Sequence, residues 1–235
     1  MSSELKTDII INRDALYALR ELPGESVNCC VTSPPYYALR DYGLDAQIGR
    51  EDTPEQYIER LVGVFHELKR VLRSDGTLWL NIADTYCGTG SKGNRTDPKN
   101  PKGRNGQQIA KNNRVSGCKQ KDLIGIPWLL AFALRADGWY LRSDIIWHKE
   151  NPMPESCKDR PTRCYEHIFL LTKSKQYYYD AAAIAEPIAA GTAARYRRGR
   201  GEGHKYAEGI PGQGKVRGIN KARSGGYYDD ALMPT

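Results

Sequence analysis

The sequence contains no apolar run of about 18 residues, the length that a helix needs to cross a membrane. The amino terminus also lacks a basic segment followed by an apolar one, which is the pattern of a secretory signal. We therefore expect a cytoplasmic protein that does not enter a membrane. None of the six cysteines belongs to a Cys-x-x-Cys pair, so reduced thiols are expected in place of disulfides or zinc ligands.

A complete set of metal ligands is missing as well. Cys157, Cys164 and His167 form the one cluster with suitable side chains. Their spacing is not that of a zinc finger, and a fourth ligand is absent. The sequence therefore predicts no metal site.

Acidic residues are scarce in two long segments. Residues 88–121 carry nine Lys or Arg and one acid, and residues 187–235 carry nine Lys or Arg and four acids. Because the whole chain has a net charge of +7, the remainder is acidic. Basic segments on an acidic body are typical of proteins that neutralise phosphates, although disordered, solvated segments have the same composition.

The most informative stretch is residues 27–37, VNCCVTSPPYY. Its first part is apolar and β-branched without a helical period, which predicts a buried strand. That strand should end where Pro34 and Pro35 remove two backbone donors. Two prolines after a strand often do no more than end it, so the short motif alone favours a structural interpretation.

The same corner has groups for a specific chemistry. The proline pair fixes two φ angles, so a rigid loop presents Ser33 Oγ and the Pro34 carbonyl as acceptors beside the Tyr36 ring. Two acceptors that hold the hydrogens of an exocyclic amine would localise its lone pair for attack on an electrophile. Tyr36 would stack on a nucleobase, which contributes about 1–3 kcal/mol. In duplex DNA the base would have to be flipped out.

Periodicity along the chain predicts an α/β fold. A helix capped by Thr53 and begun by Pro54 lies between two strands, which is the β-α-β unit of a parallel sheet. The other predicted elements are a strand at Ile9–Ile11, a helix at Asp14–Leu22, a strand at Thr77–Ile82, a helix from Pro127, strands at Trp139–His148 and Glu166–Thr172, and an optional edge strand at Tyr177–Tyr179.

Two loops suggest contacts with nucleic acid. One loop lies between the strands predicted at Trp139–His148 and Glu166–Thr172. There, Lys149 and Arg160 can meet phosphates and Asn151 can meet a base edge, although ordinary surface ion pairs would explain the same residues. Residues 88–93, GTGSKG, match the dinucleotide pattern G-x-G-x-x-G. Because no helical pattern follows, we interpret them as part of a basic loop that closes over DNA.

Thr32–Tyr36 resembles the catalytic motif of the DNA methyltransferases that methylate amino groups, transferring a methyl group from S-adenosylmethionine to cytosine N4 or adenine N6. The resemblance extends over about residues 9–187. In the permuted subgroup that it resembles, the catalytic motif comes first and the cofactor motif last. The matching stretches are DTPEQYIERL at 52–61, DGTLWLNIADTY at 75–86, KDLIGIPW at 121–128, ALRADGWYLRSDIIWHK at 133–149, NPMPES at 151–156 and DRPTRCYEHIFLLTKS at 159–174.

The resemblance implies a domain organisation. Residues 1–187 would form part of a Rossmann-like methyltransferase sheet, with a basic insertion at 88–121. Residues 188–235 would form a basic, Gly/Arg-rich tail, which is expected to be flexible and is a candidate for the start of a target-recognition region. Double-stranded DNA is the expected partner, in a bacterial or phage-infected cell.

The resemblance also implies roles for the catalytic residues. Ser33 and the Pro34 carbonyl would polarise the amine, Pro35 would hold the loop, and Tyr36 would stack on the base. A serine before the two prolines usually accompanies cytosine N4 in this family, so N4-methylcytosine is the expected product and N6-methyladenine the alternative.

One family motif has no counterpart in the sequence. The glycines of Asp-Pro-Phe-x-Gly-x-Gly approach the methionine part of the cofactor in the family, and this chain contains no such segment. No cofactor-binding residue is therefore assigned. A second polypeptide that supplies the cofactor-binding half, and a truncated chain that binds DNA without methylating it, are the alternatives to an enzyme that acts alone.

Overall fold

The computed structural model describes residues 8–40, 42–44, 46–88, 115–155 and 157–185. The chain divides into two compact units, residues 1–178 and residues 179–235. The domain boundary between residues 187 and 188 stays a prediction. The tail at 188–235 lies outside the described residues, as do residues 89–93 of the glycine-rich segment.

Helices and strands alternate along the described part of the first unit, which confirms the predicted α/β class. The elements are α1 (Ala15–Glu21), β1 (Val27–Thr32), α2 (Pro54–Val71), β2 (Leu72–Ile82), α3 (Ile126–Ala136), β3 (Tyr140–His148) and β4 (Tyr165–Thr172). None of these helices is both long and apolar enough to cross a membrane.

Two of the predicted strands are wrong. Residues 9–11 have no strand pairing in the described structure, and Ile10 is 98% exposed. The segment at 177–179 is also not a strand. In both cases apolar or aromatic residues satisfy the strand pattern, but a strand forms only where a neighbour completes its backbone hydrogen bonds.

The strands form one mixed sheet with the order β1-β2-β4-β3. β1 is parallel to β2, as the β-α-β pattern predicts, whereas β4 is antiparallel to both of its neighbours. β2 begins five residues before the predicted strand Thr77–Ile82. The added residues interrupt the pairing with β1, because Val27 is opposite Leu72 while Cys29 is opposite Thr77.

Helix α2 begins as its sequence predicts. The Thr53 hydroxyl accepts a hydrogen bond from the Gln56 amide at 3.3 Å, and Pro54 occupies the first turn. The apolar side chains recur every three or four residues and are buried along one face. They include Ile58, Leu61, Phe65 and Leu68.

The helices cover one face of the sheet. Leu78, Leu80 and Ile82 alternate along β2, are fully buried, and belong to one core with residues of α2, α3 and β4. The strand predicted at the start of residues 27–37 forms, but the prediction that it is buried is wrong, because none of its residues is fully buried and Val31 is 79% exposed. Trp147 of β3 is 50% exposed as well.

The two ends of the predicted basic insertion lie side by side. The Cys87 amide donates to the Asp122 carbonyl at 2.8 Å, and the Lys121 amide donates to the Cys87 carbonyl at 3.0 Å. Tyr86 and Leu123 continue this contact as an antiparallel bridge. The chain therefore leaves and re-enters the described fold at one place.

Candidate active site

Four segments of the chain meet where β1 and β2 end. Because β1 and β2 are parallel, their carboxyl ends lie at the same end of the sheet, and Ile82 at the end of β2 is opposite His167 near the start of β4. β3 also finishes at this end of the sheet, since Trp147 is paired with Glu166. The Ser-Pro-Pro-Tyr loop after β1 therefore lies close to side chains that are distant in sequence.

Helix α2 anchors the Ser-Pro-Pro-Tyr loop by a hydrogen bond. Tyr57 is buried and its hydroxyl donates a hydrogen bond to the Pro35 carbonyl at 2.8 Å. Among the described residues, none donates a hydrogen bond to the Pro34 carbonyl. The Pro35 carbonyl thus anchors the loop, and the Pro34 carbonyl is available to a ligand.

Gly49 packs against the other side of the loop. Its φ angle is +96°, and a Cβ atom at this position would lie 2.8 Å from the Tyr36 carbonyl oxygen. The Ala38 amide donates to the Gly49 carbonyl at 2.7 Å. The close approach and the positive φ both require glycine.

A pocket of about 400 Å³ opens beside the loop. It combines the predicted acceptors with the side chains of Leu39, Arg40 and Tyr42 and with Glu166 of β4. The structure therefore brings all four predicted catalytic residues to one concave site. The lining includes Ser33, Pro34, Pro35, Tyr36, Arg40, Tyr42 and Glu166.

The Tyr36 hydroxyl is the centre of a hydrogen-bond cluster. It lies 2.8 Å from Asn81 Oδ1 and 2.8 Å from Glu166 Oε2. Ser33 Oγ donates to it over 3.3 Å. Burial, together with the negative charge of Glu166, raises the pKa of Tyr36 to about 12, so the phenol keeps its proton at neutral pH. The cluster fixes the ring at the pocket wall.

Glu166 joins this cluster to a cation. Its other carboxylate oxygen, Oε1, accepts a hydrogen bond from Lys149 Nζ, and the Glu166 side chain is 15% exposed. Burial favours the neutral carboxyl, but hydrogen bonds from Lys149, Tyr36 and Asn81 outweigh it and hold the pKa of Glu166 below its ordinary value. Glu166 is therefore an anion at neutral pH.

We expect Glu166→Gln to destabilise the fold in a pH-dependent way. A folded-state pKa below the unfolded value of about 4.3 stabilises the fold above that pH, and the contribution is lost as the pH falls through the folded-state pKa. The variant should lose roughly 1–3 kcal/mol of unfolding free energy near neutral pH, the range for hydrogen bonds to charged groups. Urea unfolding across the acid range measures how this difference shrinks.

Glu21→Gln is the matched control for this measurement. Glu21 pairs with Arg13 on the surface, where both side chains are more than half exposed. Its replacement should leave stability nearly unchanged at every pH. A Glu166→Gln difference that stays constant down to the lowest pH would show that the Glu166 charge does not stabilise the fold.

The three residues predicted to contact DNA lie in different environments. Lys149 follows β3, lies over the Trp147 ring and pairs with Glu166, which lines the pocket. Arg160 pairs with Glu155 and lies 4.0 Å from the centre of the Tyr86 ring. Asn151 is exposed in the loop between β3 and β4. Their predicted contacts with phosphates and a base edge stay predictions.

Sequence reasoning missed Asn81 and Glu166. Asn81 interrupts the apolar end of β2, next to the last residue, and Glu166 is the second residue of β4, so each is a polar residue near the end of a largely apolar strand segment. That signal would have made them candidates. Their contacts with Tyr36 were not predictable, because they span 45 and 130 residues of sequence.

His167 lies on the helix-covered face, away from this cluster. Its Nδ1 is 2.9 Å from Asp144 Oδ1, and its ring stacks on Phe169. Cys157 lies near Glu155, with 3.6 Å between Sγ and Oε2. Across the described ranges, no group of three or more His, Cys, Asp or Glu side chains is arranged to hold a metal ion.

A mixed α/β sheet with an acceptor-lined pocket at the carboxyl end of β1 defines a Rossmann-like chain with a candidate site for a planar amine. A family model described as a DNA methylase, for the N6 and N4 class, matches residues 27–222. The chain belongs to this DNA methylase family.

Individual relatives are similar over the same region. The chain is 56% identical over 184 residues to the type II methyltransferase M.Cfr9I of Citrobacter freundii and 52% identical over 187 residues to M.SmaI of Serratia marcescens. These matches cover 78% and 80% of this chain but 60% and 63% of the relatives. The chain thus spans about three fifths of the length of these relatives.

One solved structure supports the fold assignment. The PvuII DNA methyltransferase, which is named as cytosine-N4-specific, superposes with a TM-score of 0.51 at 15% sequence identity. The match covers 75% of this chain and 53% of that protein. At this identity the similarity concerns the fold alone.

Proposed function

We propose that this chain is the catalytic part of a site-specific DNA methyltransferase that transfers a methyl group from S-adenosylmethionine to cytosine N4 in double-stranded DNA. The observation that carries the proposal is the pocket at the end of β1. There, Ser33 and the Pro34 carbonyl are two acceptors beside an aromatic ring whose hydroxyl is anchored.

The acceptors act on the amine before the reaction. In a free cytosine the N4 lone pair is delocalised into the ring and is a poor nucleophile. Ser33 Oγ and the Pro34 carbonyl would each accept one amine hydrogen, which favours the geometry in which the lone pair stays on nitrogen. Tyr36 would support the flipped base by stacking, and Pro35, bonded to Tyr57, would keep the acceptors in place.

The choice of cytosine over adenine rests on the serine. Serine at the first position of the Ser-Pro-Pro-Tyr loop usually accompanies N4 methylation in the family that the sequence resembles. A pocket with two acceptors would hold the adenine N6 amine by the same contacts. N6-methyladenine is therefore the alternative product, and the experiment below separates the two.

The methyl donor does not fit the described residues as well as the base does. Nucleotide cofactors are commonly held by a glycine-rich turn at the end of a strand. No such turn borders the pocket within the described ranges. We therefore assign no described residue to the donor. A second polypeptide that supplies the donor site stays a prediction, and the edge of β1 that faces away from β2 is where its strand would pair.

Charge supports DNA as the partner. The Lys- and Arg-rich segments at 88–121 and 187–235 suit neutralisation of phosphates, and Lys149, Asn151 and Arg160 stay the proposed contacts near the pocket. The similarity to type II methyltransferases further suggests a role in a restriction-modification system.

Label transfer tests the proposal directly. The full chain would be incubated with unmethylated genomic DNA and S-adenosylmethionine labelled in the methyl group, and the DNA would then be hydrolysed to nucleosides. We expect label in N4-methylcytosine. Label in N6-methyladenine would keep the reaction class and overturn the base assignment.

A chain that binds DNA without transferring label would contradict the proposal for the chain alone. The assay would then be repeated with lysate of the source cells. Methylation that requires both the purified chain and the lysate would identify a two-polypeptide enzyme. No methylation in either assay would identify a DNA-binding protein without this activity.

A further inference from the structure

The cluster around Tyr36 has one acceptor too many. The hydroxyl lies at the same 2.8 Å distance from Asn81 Oδ1 and Glu166 Oε2, but it has a single proton to donate. The orientation of Asn81 is fixed, because its Nδ2 donates to the His167 carbonyl at 3.3 Å. One of the two short oxygen contacts therefore lacks a hydrogen at neutral pH.

A proton on Glu166 would complete the cluster. Protonated Glu166 would donate to the Tyr36 hydroxyl, which would then donate to Asn81. Ser33 Oγ already donates to the same hydroxyl over 3.3 Å, a long contact of the kind that tightens when a ligand binds. The cluster thus has room for one more proton, and a path of hydroxyl groups leads to it from the pocket.

We propose that Glu166 accepts the proton that the amine loses during methylation, and that Ser33 and Tyr36 conduct it there. The inference rests on the proposed function. As the N–C bond forms, the S–C bond of the sulfonium donor breaks with its electron pair on sulfur, and one N–H bond breaks with its pair on nitrogen. Ser33 Oγ takes this proton and passes its own to Tyr36, whose proton goes to Glu166 Oε2.

The charges around Glu166 suit this role. Lys149 keeps the carboxylate ionised before the reaction, so the acceptor is ready at neutral pH. Tyr36 stays protonated, as a conductor of protons must, because burial and Glu166 raise its pKa more than the positive charge of Arg163 lowers it. An alkylated exocyclic amine is a strong acid, because losing its proton restores conjugation with the ring. A carboxylate with a lowered pKa is therefore basic enough to accept the proton.

Single-turnover label transfer with three variants tests this relay. Glu166→Gln keeps the size of the side chain but cannot accept a proton, and Tyr36→Phe keeps the ring but removes the hydroxyl. Each should lower the transfer rate about 10²-fold, as for loss of a general base, with the affinity for DNA unchanged. The double variant should be no slower than the slower single one, because both changes interrupt one path. Glu21→Gln is the control for a surface Glu→Gln change.

Chemical rescue separates proton transfer from a structural role. In Glu166→Ala, sodium formate would place a small carboxylate in the vacated space and restore part of the rate, whereas sodium chloride at the same ionic strength would not. Rates for Glu166→Gln or Tyr36→Phe near the native value would overturn the relay and leave the proposed function intact, and additive losses without formate rescue would overturn it as well. No transfer by the native chain would overturn the proposed function, and the relay with it.

Discussion

Ser33→Ala is expected to lower the rate of methyl transfer by about 10²–10³-fold, the cost of removing one preorganised group that acts on the reacting atoms. Ser33 lies at the pocket wall and donates to Tyr36. In the proposed mechanism its Oγ is one of two acceptors for the amine and the first member of the path to Glu166. The change removes one oxygen from a loop that the prolines hold independently. Stability should therefore change little.

Single-turnover rates and DNA affinity measured on the same protein separate an effect on methyl transfer from an effect on DNA binding. The expected pattern is a lower rate with DNA affinity within about twofold of the native value, since a single hydroxyl contributes little beside the phosphate contacts. Ser26→Ala is the matched control, because Ser26 Oγ also makes one hydrogen bond, to the Pro23 carbonyl, but away from the pocket. Equal rates for Ser33→Ala and Ser26→Ala would remove Ser33 from the mechanism.

Gly49→Ala should abolish most of the methyl-transfer activity, although Gly49 does not line the pocket. A Cβ atom would lie 2.8 Å from the Tyr36 carbonyl oxygen, and φ at this residue is +96°, so both the contact and the backbone are unfavourable. Backbone strain and overpacking together cost roughly 2–4 kcal/mol. The loop relieves the contact by moving, and a shift of about 1 Å in positioned groups can cost about 10²-fold in rate.

Gly117→Ala isolates the effect of the contact. Gly117 has φ of +78°, but a Cβ atom there would meet nothing within 4 Å. Gly117 lies outside the pocket lining but within the basic segment at 88–121, so the comparison uses saturating DNA. This control should lose stability through backbone strain alone and keep its single-turnover transfer rate under that condition. Thermal unfolding and label transfer on both variants give the comparison. If Gly49→Ala and Gly117→Ala behaved alike, the close packing of Gly49 on the loop would not matter for activity.

Local signals in the sequence predicted the elements that local physics determines. Thr53 and Pro54 begin α2, and β1 ends before Pro34, because capping and the missing proline donor act within a few residues. The position of β4 between β2 and β3 was not predictable, since β3 and β4 can both pair with the free side of β2, and the pairing that forms joins Ile82 to His167, 85 residues later. The strand predicted at residues 9–11 failed for the same reason, because its pattern says nothing about a partner.

The candidate site was predictable only in part. The Ser-Pro-Pro-Tyr loop is contiguous, so its acceptors and ring could be recognised together. Glu166 becomes a neighbour of Tyr36 only through the sheet order. Lys149 stays a predicted phosphate contact, and its pairing with the half-buried Glu166 is a further interaction that sequence spacing does not reveal.

The position of β4 also sets the order in which the chain can fold during synthesis. β4 lies between β2 and β3, although it follows both in sequence. While the nascent chain leaves the ribosome, β2 can pair with β1, but its other edge stays open until Tyr165–Thr172 has emerged. Among the described strands, β2 therefore waits for β4, and translation delays before residue 172 would prolong the exposure of β2 to chaperones and proteases.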